Sequence, residues 1–80
     1  MPALATRTYE NITPEKWKAI QTAAALYGVN IEEDAGEANI FSAHVRWFRQ
    51  EKKLKIEILQ SSFLSVDHVA NTLGRMVENA

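Results

Sequence analysis

Apolar and polar residues alternate with a period of two from Ile40 to Gln60. Phe41, Ala43, Val45 and Trp47 take turns with Ser42, His44 and Arg46, and further on Leu54, Ile56 and Ile58 take turns with Lys55 and Glu57. Such alternation places one set of side chains on a core face and the other on a second face, so the stretch predicts two antiparallel strands joined at Gln50 to Lys53. A loop centred on Glu51 and Lys52 sets Trp47 opposite Ile56, Val45 opposite Ile58 and Arg46 opposite Glu57. A slip of one residue would set Arg46 against Ile58, which the burial of one face forbids.

Upstream, the spacing changes to that of a helix. Thr13 supplies an N-cap oxygen and Pro14 suits the first helical position, where no amide proton is needed. Glu15 places negative charge at the positive helix end, and Ile12 and Trp17 hold the two positions of a hydrophobic staple. At about 100° per residue, Trp17, Ile20, Ala24 and Tyr27 share a face, Lys18, Gln21 and Thr22 face water, and Gly28 supplies a left-handed stop after a helix over Pro14 to Tyr27. Val29 to Glu33 alternates again and predicts a short strand. Asp34-Ala35-Gly36 then reads as a turn with Gly36 in the left-handed position, pairing Val29 with Phe41.

Beyond Gln60, Val66, Val69, Ala70, Leu73 and Val77 form a helical stripe with Met76 at its border. Ser65 is the favoured cap, with Leu64 and Val69 as a staple, and Ser62 is the alternative. Gly74 lies beside the stripe and either ends the helix early or permits a close backbone contact; the apolar positions after it predict continuation to about Glu78. Residues 1–11 carry no strong pattern and are either a flexible start or an edge strand over Leu4 to Tyr9. The expected fold is therefore a single α+β domain over 12–80, a two-layer α-β-β-β-α arrangement in which two helices cover one face of a three-stranded antiparallel meander.

Length sharpens the functional question. At 80 residues one core barely offsets chain entropy, so a partner or a second copy is expected to add stability. The chain has no cysteine, which excludes disulfides, thiolate metal sites and a thiol nucleophile. A formal net charge of -1 supplies no bulk attraction to nucleic acid or anionic lipid. No apolar run reaches membrane-spanning length and the opening residues lack the pattern of a signal peptide, so a cytoplasmic protein is expected.

If the helices cover one sheet face, the other displays Ile40, Ser42, His44, Arg46 and Phe48 beside Lys55, Glu57 and Leu59. Large apolar groups mixed with charges on so small a chain point to a contact surface, with Ile40, His44, Arg46, Phe48, Glu57 and Leu59 as the candidate interface and a two-fold homodimer as its simplest product. Solvated cross-strand pairs, Arg46 with Glu57, Phe48 with Lys55 and His44 with Leu59, are the plainer account. Ser42, His44 and Glu57 carry the groups of nucleophilic catalysis, yet an open face excludes no water and offers no oxyanion hole, so no enzyme activity is expected. Glu32, Glu33, Asp34 and Glu37 lack the alternating ligand spacing of a calcium loop. Ser61, Ser62 and Ser65 are accounted for by capping and turns. No metal or cofactor is expected.

The order and size of the elements resemble those of the double-stranded RNA-binding domain. The resemblance is one of topology without the motif residues: the last helix opens Ser65-Val66-Asp67-His68 with no lysine, and the loop that would reach RNA is acidic. Lys52, Lys53 and Lys55 form the one basic cluster and are the candidate nucleic-acid contacts, diluted by Glu51 and Glu57. The expected function is thus a small non-catalytic interaction or assembly module whose partner is another protein or a second copy. A nucleic-acid-binding module with that topology is the alternative.

Overall fold

The computed structural model describes residues 3–40, 42–61 and 65–80. Within them the chain forms strand β1 (Ala5–Tyr9), helix α1 (Pro14–Leu26), strands β2 (Ala35–Ile40), β3 (Ala43–Gln50) and β4 (Lys53–Ser61), and helix α2 (Val66–Asn79). This is an α+β fold of two helices on a four-stranded antiparallel sheet of order β1-β4-β3-β2. The expected meander is present as β2-β3-β4, and the start of the chain adds a fourth strand by pairing β1 along β4.

Both helices begin as their sequences dictate. The Thr13 hydroxyl accepts from the Lys16 amide at 3.2 Å with Pro14 next in line, and the Ser65 hydroxyl accepts from the His68 amide at 3.1 Å. The end of α1 is a Schellman motif: the Val29 amide donates to the Ala24 carbonyl and the Gly28 amide to the Ala25 carbonyl, while Gly28 takes φ +81°. Val29 and Ala24, the apolar pair such a motif brings together, are both buried. Ile12 and Trp17 are buried in the same cluster, as a staple requires. The alternative cap Ser62 and the staple residue Leu64 lie outside the described residues. Lys16 ties the helices together, its ammonium donating to the carbonyls of Glu78 and Ala80 at 3.1 and 2.8 Å, where the negative end of α2 favours a cation.

The core is one apolar cluster between the layers. Trp17, Ile20 and Ala24 from α1 and Val69, Ala70, Leu73 and Val77 from α2 meet Ala43, Val45 and Trp47 from β3 and Leu54, Ile56 and Ile58 from β4. No polar residue among the described ones is buried. The β3–β4 register is the expected one for Arg46↔Glu57, Trp47↔Ile56, Val45↔Ile58 and Phe48↔Lys55, with Gln50 opposite Lys53 across the turn.

Several expectations are corrected. The segment from Val29 to Glu33 is not a strand. Its apolar residues hold the connection against α1, Val29 through the helix stop and Ile31 through its carbonyl, which accepts from the Gln21 side chain at 3.0 Å; Gln21 is therefore half-buried rather than facing water. The strand beside β3 is instead Ala35–Ile40, and its hairpin turns between Ile40 and Ala43, where Ser42 takes φ 60°. The proposed pairing of Val29 with Phe41 falls on a residue outside those described. Gly36 sits inside β2 opposite Trp47, with no left-handed backbone. Finally, Tyr27 is 54% exposed, because α1 stops before the residue completes its inward face; it caps the helix instead.

Gly36 has a different reason to be glycine. An added Cβ would lie 2.6 Å from Cζ2 and 2.9 Å from Cη2 of Trp47, so the indole occupies the space a side chain would need. The indole N–H donates to the Glu33 carbonyl at 3.1 Å, which fixes the ring there. Gly74 also permits a close approach and does not end α2: its bare backbone lets the Tyr9 hydroxyl in, 3.2 Å from where a Cβ would stand.

Gly36→Ala is expected to destabilise the protein by roughly 1–3 kcal/mol, the cost of overpacking a site whose neighbour is a rigid ring. Chemical denaturation would read this as a lower midpoint at constant slope; an unchanged midpoint would mean the ring is free to move. Tyr9 yields a second prediction. Burial raises its hydroxyl above the ordinary value of 10.0, with the Arg7 guanidinium opposing and the Glu78 carboxylate adding to the shift. The folded state thus keeps a proton that the unfolded chain gives up near 10.0, so stability present below that pH is lost as pH climbs toward the folded value. Melting temperature should fall less steeply over that alkaline range in Tyr9→Phe than in the parent; identical slopes would remove the hydroxyl from the account.

Candidate functional site: the uncovered sheet face

Because both helices pack on one side, side chains of the opposite parity stand on a face that no described element covers. Rows run across the strands in register. Ala35, Phe48, Lys55 and Thr8 form one, and Glu37, Arg46, Glu57 and Thr6 form the next. Phe48 is 49% exposed near the middle of this face. A shallow depression beside it is lined by Ala35, Glu37, Arg46, Lys55 and Glu57. A second, lined by Thr8, Gln50, Lys53 and Lys55, meets the other side of the ring.

The charged groups are arranged by strand pairing. Arg46 and Glu57 face each other, and Nε and Nη2 of the arginine reach Oε1 of the glutamate at 3.1 and 3.0 Å. His44 sits between two oxygen acceptors from β2: its Nδ1 lies 3.0 Å from Asn39 Oδ1 and its Nε2 lies 3.0 Å from Glu37 Oε1. An imidazolium can donate to both; a neutral ring carries one N–H and can donate to only one. The clamp orients the ring and ties the edge strand to its neighbour.

Several expected members of this face are moved. Ile40 is 6% exposed and belongs to the core, not to the interface set. The reason is the tight hairpin: Ile40 pairs directly with Ala43, and directly opposed residues point to the same side, here inward. His44 stands across from Gln60 rather than Leu59, because the β3–β4 ladder shifts between His44 and Val45 and leaves Leu59 as the extra residue of a bulge. Leu59 is half-buried there. His44, Arg46, Phe48 and Glu57 remain together on the uncovered side. Ser42, His44 and Glu57 are not joined as a catalytic set, since the imidazole is held by Asn39 and Glu37 and the carboxylate by Arg46.

The basic cluster is divided. Lys52 lies in the turn, where its carbonyl accepts from the Ile12 amide at 2.9 Å. Lys53 and Lys55 share the side of the second depression, with Lys53 3.7 Å from Glu10. Among the described residues no group of three or more acidic or histidine side chains is arranged to hold a metal ion. Reasoning from sequence missed the Glu37–His44–Asn39 clamp because a turn at Asp34-Ala35-Gly36 pairs the segment after it with Val29 to Glu33, whereas in the fold Ala35–Ile40 pairs with β3.

Comparison with known proteins found no family model, no curated protein and no solved structure that matches the chain. No helix among the described residues is long and apolar enough to cross a membrane.

The Arg46–Glu57 pair is accessible to solvent, so its coupling should be small. A double-mutant cycle with alanine at both positions is expected to give about 0.2–1 kcal/mol, falling as salt is added. A coupling several times larger would show that the pair is desolvated.

Proposed function

We propose that the chain is a non-catalytic interaction or assembly module that self-associates through the uncovered sheet face. The observation that carries the reading is the half-exposed ring of Phe48 near the centre of that face, flanked by paired charges of both signs. An aromatic anchor surrounded by groups that can exchange partners is what a two-fold, self-complementary contact uses. Arg46 and Glu57 line the depression beside the anchor, and His44 stands farther along β3 on the same face. A cytoplasmic setting is part of the same proposal.

Sedimentation equilibrium over a range of concentrations tests it. A dimer is expected, and Phe48→Glu should convert it to monomer without lowering the melting temperature by more than a surface change does. Leu26, 83% exposed near the end of α1, supplies the control: Leu26→Glu should leave the dimer intact. A parent protein that stays monomeric at high concentration would overturn the proposal, and dissociation by Leu26→Glu alone would move the contact to the helices.

A second reading has one specific observation in its favour, since Lys53 and Lys55 stand beside the exposed Phe48 ring in an arrangement that suits a base stacked between cations. Nucleic-acid binding would appear as salt-sensitive retention on duplex RNA, reduced by changing Lys52, Lys53 and Lys55 to alanine.

A further inference from the structure

The cleft between β1 and α2 combines three features the sheet face does not have. β1 is an edge strand, so one side of its backbone has no neighbouring strand among the described residues. Along that edge runs a cleft bordered by Arg7 and Tyr9 from the strand and by Asn71, Gly74, Arg75 and Glu78 from the helix. At its floor the Tyr9 hydroxyl fills the space beside Gly74, where no side chain stands. Its charge is uneven. Arg46 and Arg49 are each bound to a carboxylate elsewhere in the fold, whereas Arg7 and Arg75 have no ion-pair partner among the described residues and border this one cleft. Arg7 makes only a 3.2 Å contact from Nη1 to its neighbour's carbonyl, at Thr6.

We propose that this cleft binds an extended acidic peptide segment of a partner protein, which pairs its backbone with the free edge of β1 and directs a carboxylate side chain toward Arg7 and Arg75. A strand added beside a helix gains affinity from main-chain hydrogen bonds and specificity from the alternate side chains that enter the groove. Guanidinium groups provide the charge-assisted, two-pronged contacts that select a carboxylate. The Asn71 amide and the Tyr9 hydroxyl add neutral donors. Glu78 stands one helical turn beyond Arg75 and repels a second acid at that end, which confines the favoured carboxylate to the Asn71 end.

Two other accounts explain less. An inward-pointing cation on an edge strand discourages uncontrolled sheet extension, but that role uses Arg7 and leaves Arg75 and Asn71 without a part. Pairing of β1 with β1 of a second copy would bring like charges from the two Arg7 side chains to one seam, so the occupant is a different, acidic segment.

The test is selection of random linear peptides, long enough to span β1, against the intact chain, followed by fluorescence anisotropy on those enriched. The result expected is enrichment of Asp or Glu among the side chains that enter the groove, with affinity falling about tenfold or more when these become Asn or Gln or when the protein carries Arg7→Glu with Arg75→Glu. Amide shifts on binding should concentrate in β1 and α2. Should the double reversal melt early, Arg7→Gln with Arg75→Gln serves the same comparison, since both arginines are exposed. Failure to enrich any peptide, enrichment without acids, indifference to the arginine changes, or shifts centred on Phe48 would each overturn the proposal. Peptide binding is read separately from self-association, so either proposal can fail without the other.

Discussion

The indole of Trp47 holds the corner on which the arrangement of the sheet depends. It fills the space above Gly36, donates to the Glu33 carbonyl, and faces Ile56 on its other side in the ladder. The next inward residue of β3, Arg49, extends the same corner: its guanidinium binds Asp34 at 3.0 Å, its amide donates to the Asp34 carbonyl at 2.6 Å, and its charge lies 5.2 Å from the Trp17 ring of α1. Strand β2 has little reason of its own to be a strand, since Ala, Gly, Glu and Asn disfavour extended pairing. It becomes one because an aromatic side chain from the neighbouring strand substitutes for the one that glycine lacks, a known device for stabilising an edge.

That dependence explains which parts of the fold were legible in the sequence. Central strands buried on one face carry strict alternation, so β3, β4 and their register could be read from Val45, Trp47, Ile56 and Ile58, and the helices from Thr13, Pro14, Gly28 and Ser65. Edge strands are specified by what they pair with. Ala5, Arg7 and Tyr9 face inward on β1 without forming an apolar run, and Gly36 and Ala38 do so on β2, so neither strand announces itself by periodicity. The alternation at Val29 and Ile31 misled for the opposite reason: two apolar residues packed against α1 produce the same spacing as a short strand without any ladder.

The same errors account for how much of the candidate site was legible. Arg46, Phe48 and Glu57 lie within the correctly read part of the central pair and share the uncovered face as expected. Ile40 was lost to the core by a turn that no glycine, asparagine or proline marks, and Leu59 was displaced by a bulge that changes the pairing between His44 and Val45. Both departures occur at the same end of the sheet, near residues 40–44 and 59–61. There the face is built from the His44 clamp instead of an apolar pair, which leaves Phe48 as the principal exposed ring on that side among the described residues.

Turn geometry supports the view that side-chain burial, more than loop preference, sets the register. Ser42 and Glu51 lie in the two hairpin loops with φ of 60° and 58°, and Asn11 approaches α1 at 60°. A positive φ outside glycine is uncommon, and for Ser and Glu such a sparsely populated conformation costs on the order of 1 kcal/mol or more. The chain accepts this at both loops because relaxing either one by a single residue would turn a whole inward set toward water, Ala38 and Ile40 in one case and Leu54, Ile56 and Ile58 in the other. At about 0.8 kcal/mol for each methylene so exposed, a slipped strand loses several times what an unstrained turn would gain. Loops at these positions are consequences of the packed face, and their residues can differ from standard turn formers without changing the fold.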